Sequence, residues 1–315
     1  MILVGDIGGT KAQLGLCHRV GPLRIKTLRL YATRDFPSPV ALLRAYLAET
    51  KVRPEIVSLA VAGPVWRGQV HMVNVGWRFS ERSLASALGI EKVHLLNDLE
   101  ALAFAVPLLR PQHLIKIKEG RRDPRGNLAL IAAGTGLGES FLIRRRTETR
   151  PVPVATEGGH AEFFALDETT WRLRLFLQKK YGHVSLERVI SGPGIENIYH
   201  FLCHEEGQAP RFSGAKEIGE AGLAGDPLAR RALEIFVRLY AAEAGNLALR
   251  CLATGGVFIG GGIAPKLLPL MDSDLFRESF MEKGRFRDFL RGVPVWILTH
   301  PYPVVLGAAF FARHF

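Results

Sequence analysis

Short blocks of uninterrupted apolar residues alternate along the chain with stretches whose apolar positions recur every three or four residues. The first kind reads as buried strands and the second as amphipathic helices, so the pattern is that of an α/β protein. Met1–Val4, Ala12–Cys17 and Leu23–Tyr31 read as strands, the last following a Gly21-Pro22 turn. Val40–Glu49 reads as a helix and Ile56–Val61 as a strand that stops at Ala62-Gly63-Pro64. Residues Val65–Trp77 read as irregular or hairpin structure. Ser80 then caps a helix over Arg82–Leu88, which ends at Gly89. Val93–Leu96 is a strand that runs into Asn97-Asp98 and a helix over Leu99–Ala105, stopped before Pro107.

The second half follows the same grammar. Strands are predicted over Leu128–Ala133 and Ser140–Ile143, and a helical region opens near Leu166. Ser191-Gly192-Pro193-Gly194 is expected to break the chain before a helix over Ile195–Cys203. Leu228, Ala232, Ile235, Phe236 and Leu239 mark one long amphipathic helix from Asp226 to about Leu252. Val257–Ile259 is a strand, followed by Gly260-Gly261-Gly262 and a helix start containing Pro265. The last strand is Val293–Leu298, and the final helix, Val304–His314, should pack back on the N-terminal sheet.

Two strand–turn–strand units carry the chemistry. The first is Val4-Gly5-Asp6-Ile7-Gly8-Gly9-Thr10-Lys11 and the second is Ala133-Gly134-Thr135-Gly136-Leu137-Gly138. Glycines let backbone N–H groups approach a polyanion, and consecutive N–H groups in such a turn form an anion-binding nest. A carboxylate beside them, Asp6, suits a hydrated Mg²⁺, which keeps several waters and leans on one or two carboxylates. Two such units half a chain apart point to an internal duplication with one phosphate loop in each half. Asn97 and Asp98 stand at the carboxyl end of a strand, where open α/β sheets bind ligands. A short polar side chain there also fits a helix cap, and for a lone Asp the cap is the simpler reading.

Length and charge narrow the class. At 315 residues the chain has room for two domains, and 48% hydrophobic with 23% charged residues is ordinary for a soluble protein. No apolar run reaches the ~18 residues of a membrane span, and no secretory signal is expected before the first strand. Cys17, Cys203 and Cys251 are distant and odd in number, which fits a reducing cytoplasm and no disulfide framework. The net charge of +11 raises the question of nucleic acid. Its densest runs, Arg121-Arg122-Asp123-Pro124-Arg125 and Arg144-Arg145-Arg146, sit at turns or strand ends, where solvated charge is the plain expectation. No nucleic-acid partner and no membrane partner are therefore expected, while a positive field aids capture of a polyanion such as ATP.

Six motifs in order carry a resemblance. Asp6-Ile-Gly-Gly-Thr10, Leu96-Asn-Asp98, Ala133-Gly-Thr-Gly-Leu-Gly138, Glu157-Gly-Gly-His160, Glu187-Arg-Val-Ile-Ser-Gly-Pro-Gly194 and Gly255-Gly-Val-Phe-Ile-Gly-Gly-Gly-Ile263 resemble bacterial ATP-dependent glucokinases over essentially the whole chain. The resemblance implies the two-domain actin-like ATPase (ribonuclease H-like) α/β fold, with the active site in the interdomain cleft. It implies a small domain over residues 1–108 plus 300–315 and a large one over 109–299. It also implies glucose as substrate, ATP and Mg²⁺ as cofactors, and a homodimer.

Carried over by matching position, Asn97, Asp98, Glu157, His160, Glu187 and Asn74 line the sugar. Carboxylate and amide oxygens are good acceptors for a ring of hydroxyl donors. Asp98 is the expected catalytic base. Asp6, Gly8, Gly9, Thr10, Gly134, Thr135 and Gly136 would hold the phosphates, Asp6 through a hydrated Mg²⁺, and Gly255, Gly256, Gly261 and Gly262 would approach the adenosine. Lys11 departs from the Asn often found there and matches the related kinase-and-repressor family. That family carries a Cys-rich zinc motif after its Glu-Gly-His segment, whereas Ala161-Glu-Phe-Phe-Ala-Leu-Asp167 has no Cys. Two other readings stand beside this one: a kinase for another hexose or an N-acetylhexosamine, and a non-catalytic ATP-binding sugar sensor.

Overall fold

A computed structural model describes residues 1–144 and 151–315. The chain divides into two compact units, Met1–Leu109 with His300–Phe315, and Arg110–Thr299.

In the first unit the main strands are β1 (Ile2–Ile7), β2 (Lys11–Cys17), β3 (Lys26–Ala32) and β4 (Ile56–Val61), with α1 (Pro39–Thr50) before β4. A small antiparallel sheet of β5 (Val65–Trp66), β6 (Gln69–Met72) and β7 (Trp77–Ser80) follows, then α2 (Glu81–Leu88), β8 (Lys92–Asn97) and α3 (Asp98–Ala105). The main sheet has the order β3-β2-β1-β4-β8. β1, β4 and β8 are parallel, and β2 runs antiparallel to both β1 and β3. All six residues of β4 are buried, as expected for a central strand covered on both faces. Ser80 caps α2 as expected, accepting the Ser83 N–H, and Gly89 ends it in the left-handed conformation.

One face of this sheet is covered by α1 and α2 through Leu42, Leu43, Tyr46 and Leu84. The other is covered by the terminal helix Pro303–His314, whose Val305 and Ala309 pack on Ile2 and Val4. The Ser58 hydroxyl donates to the Ala308 carbonyl at 3.0 Å from inside β4. Gly307 has no Cβ to meet the Ala101 carbonyl, so the terminal helix lies directly against the backbone of α3. That contact fixes the helix whose first residue is Asp98.

The second unit repeats the plan. Its strands are β9 (Leu114–Lys118), β10 (Leu128–Ala133), β11 (Leu137–Ile143) and β12 (Val152–Thr156). Helices α4 (Glu168–Tyr181), α5 (Gly192–Glu205), α6 (Gly214–Leu223) and α7 (Pro227–Cys251) follow, then β13 (Gly256–Gly260). Three short helices, α8 (Leu268–Met271), α9 (Asp274–Met281) and α10 (Arg287–Gly292), lead to β14 (Val295–Leu298). The sheet order is β12-β11-β10-β13-β14-β9. Its antiparallel trio β12-β11-β10 with parallel β13 and β14 matches β3-β2-β1 with β4 and β8, which is the duplication the two Gly-rich turns indicated. α7 runs through the core of this unit, with Ala232, Leu233, Phe236, Val237 and Tyr240 fully buried.

Two local expectations are corrected. Ser191-Gly192-Pro193-Gly194 does not break the chain but starts α5: Ser191 is the N-cap and Pro193 lies in the first turn. Proline is tolerated there because the N–H it lacks has no helical partner in any case. The helix expected around Pro265 begins later, at Leu268. Arg145 and Arg146 of the second basic run lie outside the described residues. Among the described residues no helix is long and apolar enough to cross a membrane.

Candidate active site

In the first unit, parallel register brings the predicted residues to one edge. Asp6 pairs with Ala60 and Val61 with Asn97, so Asp6, the Gly8–Thr10 turn and Asn97-Asp98 all lie at the carboxyl ends of β1 and β8. Burial, and then the negative charge of Asp98, push the Asp6 carboxyl up to about 7. Two acids are thus held close where a cation would relieve both burial and repulsion.

The turn after β1 is closed by the Gly8 N–H donating to the Lys11 carbonyl at 2.9 Å. It is tied down by fully buried Thr33, whose hydroxyl donates to the Gly8 carbonyl at 2.8 Å and whose N–H donates to the Thr10 carbonyl at 3.0 Å. Thr10 itself is exposed, with its hydroxyl available to a ligand. Exposed Asn74 lies over this turn: a Cβ on Gly9 would stand 2.9 Å from its own Cβ.

Asn97, not Asp98, caps α3. Its Oδ1 accepts the N–H groups of Leu99 and Glu100 at 2.8 and 3.3 Å, and its Nδ2 donates to the Gly63 carbonyl at 3.2 Å. An amide has two donor hydrogens and two acceptor lone pairs, so Asn97 retains one N–H for a ligand. Asp98 is the first helical residue, and its Oδ1 accepts the Leu99 N–H at 2.9 Å. The cap reading of Asp98 therefore gives way to a carboxylate at a helix N-terminus, where negative charge is favoured.

In the second unit, the turn after β10 is closed by the Gly134 N–H donating to the Gly136 carbonyl at 2.9 Å, and it is held to α5 by the Gly192 N–H on the Gly134 carbonyl at 2.8 Å. Thr135 is exposed at its tip. A Cβ on Gly134 or on Gly262 would meet no protein atom within 4 Å, so packing does not require glycine at either place. Both glycines adjoin the carboxyl ends of β10 and β13, where a residue without a side chain leaves the backbone open to close approach. Gly261, with φ of +82°, presses its backbone against Ala133 and brings Gly262 beside the turn.

Leu137 joins the turn after β10 to Glu187 and to the Glu157–His160 segment. Its N–H donates to Glu187 Oε2 at 3.0 Å, and its carbonyl lies under Gly159. The Ser191 hydroxyl holds the Glu187 carbonyl at 2.7 Å. Glu157 and His160 are exposed at the two ends of a 3₁₀ turn, with His160 Nε2 and Glu157 Oε2 3.9 Å apart. His183 reaches the His160 carbonyl at 3.2 Å from behind. Sequence reasoning missed Thr33 and His183, because each acts on distant backbone atoms that carry no motif, and it gave Ser191 no role beyond its place in the Glu187–Gly194 motif.

Gly255 and Gly256 are not brought to this edge. Gly256 pairs with Leu128, at the amino ends of β13 and β10, and both glycines are buried against the Gly126–Asn127 backbone and the Trp296 ring. Packing accounts for them, which corrects the expectation that they approach adenosine. Gly261 and Gly262 are at the other end of the same strand.

The donor chemistry fits the implied ligands. Asp6 offers hard oxygens of the kind that suit a hydrated Mg²⁺, which it would hold through water. The two glycine turns offer backbone N–H groups to phosphates. No cluster of three or more His, Cys, Asp or Glu side chains able to hold a metal occurs among the described residues.

Several known proteins that resemble this chain over nearly its whole length are glucokinases. Glucokinases of Yersinia enterocolitica and Shigella flexneri are 37% and 36% identical to this chain over 312 residues, covering 99% of it and 96% of each relative. The crystal structure of a glucokinase from an Antarctic psychrotroph superposes with a TM-score of 0.87 at 33% identity, over 100% of this chain and 99% of that one. A glucokinase from Balamuthia mandrillaris in complex with glucose shares the fold, with a TM-score of 0.86 at 19% identity, over 100% and 93%. These are α/β proteins of the actin-like ATPase fold, as expected. The glucokinase family model matches residues 3–315, and the chain belongs to the glucokinase family.

Proposed function

We propose that the chain transfers the γ-phosphoryl group of ATP to the 6-hydroxyl of glucose, with Asp98 as the base. The observation that carries this reading is the placement of Asp98 at the N-terminus of α3, at the same sheet edge as Asp6 and the first glycine turn. Family membership supports glucose over other hexoses and catalysis over sugar sensing.

Such transfers rest mainly on positioning and electrostatic stabilisation. Asp98 accepts the proton of the sugar hydroxyl as it attacks. Asn97 spends most of its hydrogen-bonding capacity on holding α3 and Gly63, so its main effect is to aim Asp98, with one N–H left for the sugar. Glu157, His160 and Glu187 accept or donate to the ring hydroxyls, and Asn74 adds a contact from above the first turn. Thr10 and Thr135 offer exposed hydroxyls to phosphate oxygens, alongside the N–H groups of Gly9 and Gly136, while the Gly8 and Gly134 N–H groups close the two turns. Gly261 and Gly262 let the nucleotide approach the end of β13. Asp6 would hold Mg²⁺ through water, and the ion would neutralise phosphate charge.

Three buried free thiols support a reducing, cytoplasmic setting. Homodimerisation is supported by the family resemblance alone, and light scattering tests it. The kinase reading is tested by ADP release with MgATP across a panel of sugars. Glucose is expected to turn over best, with EDTA abolishing and Mg²⁺ restoring activity. Turnover of another hexose with none of glucose would overturn the substrate assignment, and sugar binding without ADP release would favour a sensor.

A further inference from the structure

The phosphate turn after β10 and the glycines after β13 leave the sheet side by side, and one buried hydroxyl lies between their roots. The β10–β13 ladder ends at the pair Ala132 and Gly260. Beyond it Gly261, with φ of +82°, leaves the ladder while staying packed against the Ala133 backbone. Tyr240, fully buried near the middle of α7, fills the gap left in the hydrogen bonding. Its hydroxyl accepts the Ala133 N–H at 3.1 Å and donates to the Gly260 carbonyl at 3.5 Å. Ala133 immediately precedes Gly134, and Gly260 immediately precedes Gly261.

We infer that Tyr240 is a positioning residue for nucleotide binding: its hydroxyl sets the separation of the two glycine segments without touching the ligand. The inference rests on the kinase reading above, which places the nucleotide at those segments.

Three features support it. The ring is anchored, packing edge-on against Phe236 at 5.7 Å, so the hydroxyl has a fixed place. Burial first, and then the charge of Glu139, push its ionisation well above the ordinary tyrosine range, so it remains a donor to Gly260 at all working pH values. Finally, the Tyr240 hydroxyl takes up a buried N–H, and a buried N–H left without a partner is costly.

Tyr240→Phe removes one oxygen and keeps the ring. Affinity for a non-hydrolysable ATP analogue, measured by calorimetry, should fall roughly tenfold, and the KM for ATP should rise by a similar factor. Glucose affinity should stay within about twofold of wild type. Phe236→Leu, a packing change one turn earlier on α7, should lower the melting temperature with no such split between substrates. Unchanged analogue affinity in Tyr240→Phe, equal losses for glucose and nucleotide, or failure of that variant to fold would assign the tyrosine to core stability and overturn the inference. Binding of the analogue by wild type with no phosphorylation of any sugar would overturn the kinase reading alone. Failure of wild type to bind it would overturn both.

Discussion

Glu187 and Leu137 are joined by a single hydrogen bond, the Leu137 N–H donating to Glu187 Oε2 at 3.0 Å. Under the proposed function Leu137 closes the turn that would hold phosphate and Glu187 would line the sugar, so one contact would serve both ligands. A Cβ on Gly136 would stand 2.5 Å from the same oxygen, and that position admits glycine alone unless the carboxylate moves.

Glu187→Ala should therefore weaken both ligands: glucose by tenfold or more, and the nucleotide by a few-fold through the unpaired Leu137 N–H. Glu157→Ala, whose side chain is exposed at the far end of its turn, should weaken glucose alone. Separate titrations with glucose and an ATP analogue check this. Identical profiles for the two variants would show that the Glu187–Leu137 bond couples nothing.

Asn97 separates stability from chemistry. Asn97→Ala deletes the cap of α3 and the tie to Gly63, and should lower stability by about 1–2 kcal/mol together with activity. Asn97→Asp keeps the acceptor oxygen for Leu99 and Glu100, so most stability should return. It loses both amide donors and sets a charge beside the Gly63 carbonyl and Asp98, so turnover should remain low. Chemical denaturation and kinetics on both variants decide the point, and full activity in Asn97→Asp would contradict it.

The two strand–turn–strand units were legible because glycine, hydroxyl and acid occur together between two apolar blocks, a combination that a plain hairpin does not need. The duplication was legible for the same reason. Which end of a strand a glycine occupies was not, since Gly255-Gly256 and Gly261-Gly262 read alike until the register with Leu128 and Ala132 separates them. Breakers misled at Gly192-Pro193, where Ser191 makes them a helix start. Asn97 and Asp98 are both good caps, and only the backbone geometry assigns the cap to Asn97. Thr33 and Tyr240 act on distant backbone atoms, and no local spacing announces such contacts.

Partly buried Asp6 and buried Glu139 should make the protein's stability pH-dependent. Asp6 is pushed up from 3.8 to about 7 by burial and then Asp98, and Glu139 from 4.5 to about 7 by burial and then Glu243, with Arg250 opposing. Glu139 is 1% exposed, and its Oε1 has no hydrogen-bond partner among the described residues. Between the ordinary and raised values the folded chain holds protons that the unfolded chain has released. These acids therefore contribute most stability at the acid side of the window, and the contribution is lost as pH rises through about 7. The melting temperature of Glu139→Gln should fall less than that of wild type between pH 5 and 8. Asp6→Asn should melt higher than wild type at pH 8 while losing Mg²⁺-dependent turnover. Parallel melting curves for all three proteins would refute the assignment.

The most direct test of the kinase account is Asp98→Asn. Asn97 already caps α3, and the amide can still accept the Leu99 N–H through its oxygen, so fold and glucose affinity should change little. A neutral amide cannot take the proton of the attacking hydroxyl, so kcat for glucose phosphorylation should fall by roughly 10²–10⁴-fold. Equilibrium glucose binding measured beside kcat gives the answer. Near-wild-type binding with a kcat in that range is the predicted result, and a kcat within tenfold of wild type would contradict Asp98 as the base.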